Sequence, residues 1–204
     1  TNPYTIGGTV SGLTGTGLVL HNGSENFPVP ANATSFTFLT PVLSGGSYAV
    51  TVSTQPNTPT QSCTVTGATG SGTVVSANIA SVTISCATSS FTIGGTVTGL
   101  AGTGLVLRNN GADNKTILAN GAFTFSIPIA SGSPYAVTVL TQPSNLSQTC
   151  TVTGGGPGTV TNANVNVSIS CATNSFTVGG TVTGYNSFGG GGFTLRLNGI
   201  ANAG

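Results

Sequence analysis

Short segments of the chain alternate apolar and polar residues with a period of two. One segment places Phe123, Phe125 and Ile127 on one side and Thr124 and Ser126 on the other. Because successive side chains of a β-strand point to opposite faces, this alternation predicts a strand with one buried face.

About seven such segments occur in the second part of the chain. The stretch 165–171 is a clear example, since its odd-numbered residues are Val, Val, Ile and Cys and its even-numbered residues are polar. Turn sequences rich in Gly, Asn and Pro separate the segments, and no stretch carries the i, i+3, i+4 apolar stripe of a helix. The predicted strands span 91–98, 104–109, 114–118, 122–127, 135–140, 149–153 and 165–171.

A ten-residue sequence occurs three times along the chain. It begins at Tyr4, Phe91 and Phe176, so that the copies are 87 and 85 residues apart. Later stretches recur at matching distances, such as 48–52 with 135–139. A unit of about 86 residues is too long for a solenoid coil and suits a small autonomous domain.

These patterns predict an all-β protein made of tandem immunoglobulin-like or prealbumin-like β-sandwich domains with about seven strands each. We place the first domain at residues 1–88, which we call repeat 1, and the second at 89–173, which we call repeat 2. Residues 174–204 form a partial third repeat that contains the first strands only. The Gly7-Gly8 pair and its copies are interpreted as a bulge or a close-packing point within a strand.

The chain has four cysteines, at matching places in the two full repeats. Cys150 is in phase with the apolar Val152, and Cys171 ends an apolar alternation, so both should face the core from neighbouring strands. We therefore predict the disulfides Cys63–Cys86 and Cys150–Cys171, with buried free thiols as the alternative. Disulfides indicate an oxidising compartment, and hence a secreted, extracellular or cell-surface location.

Three stretches carry a resemblance to a known class of repeats. Gly7-Gly-Thr-Val-Ser11, Asn120-Gly-Ala-Phe-Thr-Phe125 and Tyr135-Ala-Val-Thr-Val139 resemble the carboxypeptidase-regulatory and collagen-adhesin B-type repeats of bacterial surface proteins. The resemblance implies a stalk or spacer. Some relatives are locked by an isopeptide bond from a first-strand lysine, but the only lysine here, Lys115, lies elsewhere. The resemblance therefore implies that the disulfide takes over the locking role, as suits a Gram-negative exporter.

Charged residues make up 2% of the chain, where a globular domain averages about a quarter. Hydrophobic residues make up 37% and are patterned, so the chain can bury a core. A net charge of +1 offers no basic patch for phosphates, which excludes nucleic acid as a partner. No apolar run is long enough to span a membrane, and no signal peptide is present.

The residues that most enzymes need are nearly missing. The chain contains one histidine, His21, and two acids, Glu25 and Asp113, which fall in different repeats. His21 aligns with Arg108, and Glu25 aligns approximately with Asp113, so these residues are interpreted as a recurring basic and acidic pair at one hairpin. We predict no enzyme activity, no cofactor and no metal site.

The glycine-rich stretch 189–192 lacks the residues that follow a phosphate-binding loop and is interpreted as a turn. Asn-x-Ser/Thr sequons give candidate glycosylation sites, and glycans would compensate for the missing surface charge. The candidates are Asn22, Asn32, Asn114 and Asn145.

The function expected from the sequence is a non-enzymatic structural segment of a bacterial stalk, adhesin or extracellular filament. The alternative is a module that binds carbohydrate or a host protein, for which the Thr-Val-Thr segments and the aromatics Tyr185 and Phe188 are the candidates. The expected partners are further copies of the protein or neighbouring repeats of a longer chain, with glycans as a further possibility. In the partial repeat, candidate assembly strands carry Phe176, Val178, Phe193, Leu195 and Leu197.

Overall fold

A computed structural model describes residues 2–184, 194–198 and 200–201. Every regular element in these residues is a β-strand, and the strands form several sheets, as in a β-sandwich. The chain divides into two compact units, Thr1–Asn174 and Ser175–Gly204.

Eleven strands lie in repeat 1. They are β1 (Pro3–Tyr4), β2 (Ile6–Ser11), β3 (Leu18–Asn22), β4 (Glu25–Val29), β5 (Ser35–Thr37), β6 (Val42–Leu43), β7 (Ser47–Ala49), β8 (Thr51–Thr54), β9 (Gln61–Thr66), β10 (Ser71–Thr73) and β11 (Ile79–Thr88).

The same number lies in repeat 2, and two more follow in the second unit. They are β12 (Ser90–Phe91), β13 (Ile93–Thr98), β14 (Leu105–Asn109), β15 (Asp113–Ile117), β16 (Gly121–Thr124), β17 (Ile129–Ala130), β18 (Pro134–Tyr135), β19 (Val137–Thr141), β20 (Gln148–Gly154), β21 (Gly158–Thr159), β22 (Val165–Thr173), β23 (Arg196–Leu197) and β24 (Ile200–Ala201).

The two repeats have the same strand order. Each contains a four-stranded sheet, β5-β2-β11-β9 in one and β16-β13-β22-β20 in the other. Each also contains a three-stranded sheet, β4-β3-β8 or β15-β14-β19. Two-stranded sheets add short pairs, namely β1-β6, β10-β7, β12-β17 and β18-β21.

The first long strand of each repeat, β2 or β13, runs parallel to its last long strand, β11 or β22. This pairing brings the two backbones unusually close at one glycine. A Cβ atom on Gly8 would lie 1.7 Å from the carbonyl oxygen of Val82, and a Cβ on Gly95 would lie 1.9 Å from that of Val167. The repeated Gly-Gly pair is therefore required by close packing between strands.

Each repeat has its own apolar core, built from the inward-facing residues of both of its larger sheets. In repeat 1, for example, Val10 of β2, Leu20 of β3 and Ile84 of β11 are all buried in one cluster. Disulfides join Cys63 to Cys86 and Cys150 to Cys171 between directly opposite positions of antiparallel strands, as expected from the alternation.

One position of the alternation was predicted wrongly. Ile127 was expected on the buried side with Phe123 and Phe125, but its side chain is 55% exposed. Strand β16 ends at Thr124, and the N–H of Ile127 is bound by a carboxylate oxygen of Asp113 at 2.8 Å. The chain therefore leaves the sheet before Ile127, and the alternation no longer determines which side faces the core.

The second unit differs from the repeats in its first segment. Residues 176–183 have nearly the sequence of β2 and β13 but form no strand. In repeat 2, β13 is paired on both sides, with β16 and β22. Counterparts of these two partners are absent from the described residues of the second unit, so the segment has no ladder to join.

Candidate interaction site at the junction of the repeats

On the side of repeat 1 that faces repeat 2, a loop leads into β9. Pro59 and Thr60 are half-buried in this loop, and Gln61 after them is buried. Thr16 attaches the loop to the chain before β3, because its carbonyl accepts the N–H of Asn57 at 3.1 Å and its N–H donates to the carbonyl of Thr58 at 3.2 Å. The position of Thr60 is therefore set by the residues on both sides of it.

Ser131 lies at the facing edge of repeat 2, after β17, and is buried. Its hydroxyl donates a short hydrogen bond to the carbonyl oxygen of Thr161. The next residue, Gly132, donates its N–H to the carbonyl of Val160 at 2.8 Å. These bonds bring the loops around Ser131 and Thr161 together in one surface.

Four hydrogen bonds form the contact between the repeats, and two of them are made by Ser89, the linker residue between β11 and β12. The N–H of Ser89 donates to the carbonyl of Thr60 at 3.0 Å, and its carbonyl accepts the N–H of Ser131 at 2.8 Å. The N–H of Thr60 donates directly to the Ser131 hydroxyl oxygen at 2.9 Å, and the Thr60 hydroxyl makes a longer bond to the carbonyl of Thr161. We call this set of residues the joint.

Pro59 of repeat 1 also approaches Gly132 of repeat 2 closely at the joint. A methyl group placed on Gly132 would lie 3.4 Å from the Cβ atom of Pro59. Beside this contact is a cleft of about 460 Å³, with Asn57 and Thr58 on the repeat 1 wall and Asn162 on the repeat 2 wall. The linker is thus held by both neighbours, and its backbone groups are used in the joint.

A buried glutamine, Gln61, supports the joint, and Gln148 occupies the corresponding place in repeat 2; sequence reasoning missed both. The Gln61 carbonyl oxygen accepts the N–H groups of Thr14 and Gly15, at 2.9 and 2.7 Å, and its amide nitrogen donates to Gly12 and Thr88. Gln148 makes the corresponding four bonds in repeat 2. The available signal was a glutamine two residues before a cysteine in both repeats.

The scarce charged residues do recur at one hairpin, but the basic and acidic members do not bind each other there. His21 Nδ1 lies 2.9 Å from the side-chain oxygen of Asn26, and Arg108 donates to the corresponding oxygen of Asn114 at 3.1 Å. Asp113 accepts the N–H of Ile127 instead. Each acid thus accepts hydrogen bonds from the main chain just after the strand that follows the hairpin, which is β5 in repeat 1 and β16 in repeat 2.

Glu25 shows how such an acid is stabilised. Its two carboxylate oxygens accept the N–H groups of Leu39 and Thr40, both at 2.8 Å. Slight burial raises the pKa of the Glu25 carboxyl, but these hydrogen bonds and one from the Thr40 side chain outweigh it, so the pKa lies below its ordinary value. The carboxylate therefore acts as a stable acceptor for main-chain donors.

The candidate glycosylation sites divide into two groups. Asn32, Asn114 and Asn145 are exposed. Asn22 is only 8% exposed, and its side-chain oxygen accepts the N–H of Ala49 at 3.0 Å. Asn22 is therefore less accessible in this fold than the other three candidates, and glycosylation at all four sites stays a prediction.

The candidate assembly residues of the second unit expose apolar side chains. Phe176, Val178, Leu195 and Leu197 are all exposed, and Val178, Leu195 and Leu197 line a groove of about 390 Å³. Phe193 lies outside the described residues. The same holds for Tyr185 and Phe188, the candidate aromatics for carbohydrate binding.

The described residues contain no group of three His, Cys, Asp or Glu side chains that could hold a metal ion. In the same residues, no helix has the length and apolar character needed to cross a membrane.

Comparison with known proteins assigns no family to this chain. No family model and no curated protein matches it. Among solved structures, the major pilin protein (T-13) of Streptococcus pyogenes matches with 15% sequence identity and a TM-score of 0.25, over 84% of this chain and 96% of the pilin. A TM-score this low supports no argument about fold or function.

Proposed function

We propose that this chain is a non-enzymatic structural segment of a secreted or surface-anchored bacterial stalk, adhesin or extracellular filament. In this proposal residues 1–88 and 89–173 are consecutive β-sandwich domains, with about seven main strands each, and residues 174–204 begin a third. The single observation that carries the proposal is the joint at Thr60, Ser89 and Ser131. A stalk must transmit orientation from one domain to the next, and a hydrogen-bonded linker does this better than a free one.

The disulfides and the surface chemistry support an extracellular location. Each repeat is closed by a disulfide between its last long strands, which is the chemistry of oxidising compartments. The surface relies on hydroxyl and amide groups, and some of these already bind each other. The hydroxyl of Thr66, for example, donates to the hydroxyl of Thr83 at 2.9 Å.

We propose that residues 176–197 contribute to assembly. Their exposed apolar side chains would be covered by strands that complete a sandwich, either from the same longer chain or from a further copy. Deletion of 175–204 tests the second route. Fibres of full length from the shortened protein would show that strand donation by this segment is not needed.

Electron microscopy of the native material, labelled with an antibody against this chain, tests the proposal as a whole. Continuous fibres or stalks labelled along their length are expected. Labelling of isolated, unconnected particles would contradict a structural array.

The alternative function is a module that binds carbohydrate or a host protein. A glycan array distinguishes it from the structural role, because binding that disappears when Tyr185 is changed to Ala would favour an adhesion module. A purely structural segment should show no such loss.

A further inference from the structure

The few charged residues of the two repeats are concentrated on one part of each sandwich. In residues 2–174 they are Glu25, Arg108, Asp113 and Lys115, and all of them lie in the hairpins β3–β4 and β14–β15. Three of them are on the second strand of the hairpin, β4 or β15. The other sheets within residues 2–174 carry no charged side chain.

The strands β4 and β15 are edge strands. In the part of the chain that the structure describes, β4 is paired only with β3, and β15 only with β14. The other side of an edge strand presents unpaired N–H and carbonyl groups, to which a strand of another molecule can add. Neither strand contributes a residue to the joint, so the contact between consecutive repeats leaves both edges open.

Pro28 interrupts the edge of β4. It lies near the middle of this strand of five residues, opposite Val19, and its side chain is exposed. Within sheets, prolines occur on edge strands, where the missing N–H faces away from the paired neighbour. A strand added to β4 would therefore lose a hydrogen bond at Pro28.

Lys115 interrupts the edge of β15 in a different way. It lies opposite Leu107, and directly opposite residues share one face of a sheet, so Lys115 is on the same face as the buried Leu107 and Ile117. Its side chain is half-buried, and such a lysine keeps its ammonium group in water by reaching past the edge of the sheet. A strand added to β15 would close this route and bury the charge.

The two repeats use these interruptions at neighbouring positions. Phe27 occupies in repeat 1 the place of Lys115, and its ring packs edge-to-face on Phe38 with centroids 5.9 Å apart. Thr116 occupies in repeat 2 the place of Pro28. Each edge thus carries one interruption, a proline or an inward-facing lysine, and an ordinary strand residue at the other position.

The edges of β9 and β20 are closed from within each repeat. The side-chain amide of Gln55 donates to the carbonyl of Cys63 at 2.9 Å and accepts the Cys63 N–H at 2.7 Å, as an added strand would. Gln142 makes the same pair of bonds with Cys150. Protection of strand edges is therefore a recurring feature of this fold.

We propose that Pro28 and Lys115 prevent the edge strands β4 and β15 from pairing with an edge strand of a second copy. A surface of hydroxyl and amide groups carries almost no charge to keep copies apart, so without these two residues the edges join sheet to sheet. Copies therefore do not associate side by side, while contacts at the ends of the repeats stay possible.

Sedimentation velocity of the full chain and its variants tests this role. Lys115→Thr removes the charge and Pro28→Thr restores the N–H, and threonine suits a strand, so the sheets keep their internal pairing. One recovered hydrogen bond, or one charge that is no longer buried, should strengthen association at least about tenfold relative to the unchanged chain. Hydrogen exchange locates the contact, because pairing protects the N–H groups of residues 25–29 or 113–117.

Two control variants separate the edge from the charge. Arg108→Thr changes the net charge by the same amount, but β14 is paired on both sides, so this variant should associate like the unchanged chain. Lys115→Thr combined with Thr116→Pro places a proline where repeat 1 has Pro28. This combination should lose the association that Lys115→Thr gains alone.

Four outcomes would overturn the role of these residues: no gain in association for Lys115→Thr and Pro28→Thr, an equal gain for Arg108→Thr, no reversal by Thr116→Pro, or association that leaves the N–H groups of the edge strands unprotected. None of these results changes the labelled fibres expected for the structural role, so the two proposals can fail separately.

Discussion

In this chain of few charged residues, buried glutamine side chains make hydrogen bonds of the kind that charged side chains make in most domains. Gln148 is 3% exposed and makes four hydrogen bonds, two of them to the N–H groups of Ala101 and Gly102. Gln148→Ala leaves the buried Gly102 N–H and the partly buried Ala101 N–H unpaired, and we expect a loss of about 3 kcal/mol in the free energy of unfolding. Urea denaturation measures it.

Gln142 offers a matched control in the same repeat. Its exposed side chain accepts the N–H of Cys150 at 2.8 Å and donates to the Cys150 carbonyl at 3.0 Å. Water can replace these bonds, so Gln142→Ala should cost about 1 kcal/mol. Equal losses for the two variants would contradict the importance of burial at Gln148.

Glu25 allows a prediction about pH. Its pKa is lowered in the folded protein, so its contribution to stability is present above the ordinary glutamate pKa and is lost as the pH falls through the folded value. Glu25→Gln should therefore reduce the free energy of unfolding at about pH 7 and have a smaller effect at about pH 2. Denaturation of both proteins across this range measures the difference, and a difference independent of pH would contradict the assignment.

Most of the strands were accessible from the sequence, because alternation reports burial directly. The segment 165–171 became β22, with Val167 and Ile169 buried and the disulfide at its expected place. The failure at Ile127 arose where a side chain, Asp113, binds the main chain from another hairpin. Hydrogen bonds of this kind leave no periodic signal.

The joint could not be predicted from the sequence for a related reason. Thr60 and Ser131 are ordinary exposed-type residues in turn sequences, and they are 71 residues apart. The sequence itself shows only that few residues separate the last strand of repeat 1 from the first strand of repeat 2. It could not identify which groups meet, because that depends on how two folded sheets place their loops.

At the level of elements, we predict the same loss of stability when the disulfide of either repeat is removed. They close loops of similar length, with separations of 23 and 21 residues. Replacing either pair by alanine, Cys63→Ala with Cys86→Ala or Cys150→Ala with Cys171→Ala, should cost roughly 3 kcal/mol in the chain-entropy description. Calorimetry measures the loss. Mass spectrometry of the unchanged protein should find neither free thiols nor a bridge between repeats.

For the molecule as a whole, the decisive property of the first unit is whether the joint holds its two repeats in a fixed orientation. Ser131→Ala removes the hydroxyl that accepts the Thr60 N–H and donates to the carbonyl of Thr161. We expect residual dipolar couplings of the unchanged protein to fit one alignment tensor across residues 2–174. In the variant they should require separate tensors for 2–88 and 89–174.

Ser44→Ala is the matched control, because it removes the corresponding bond to the carbonyl of Val75 but touches no group of the joint. Both variants lose a local hydrogen bond, so the part of the effect that belongs to the joint is their difference, expected to be about 1 kcal/mol in the free energy of unfolding. At dilute concentration Ser44→Ala should keep the single tensor. If it loosened the repeats as much as Ser131→Ala, or if the unchanged protein already required two tensors, the hydrogen bonds at Ser89 and Thr60 would not hold the orientation, and a stalk would need another source of stiffness.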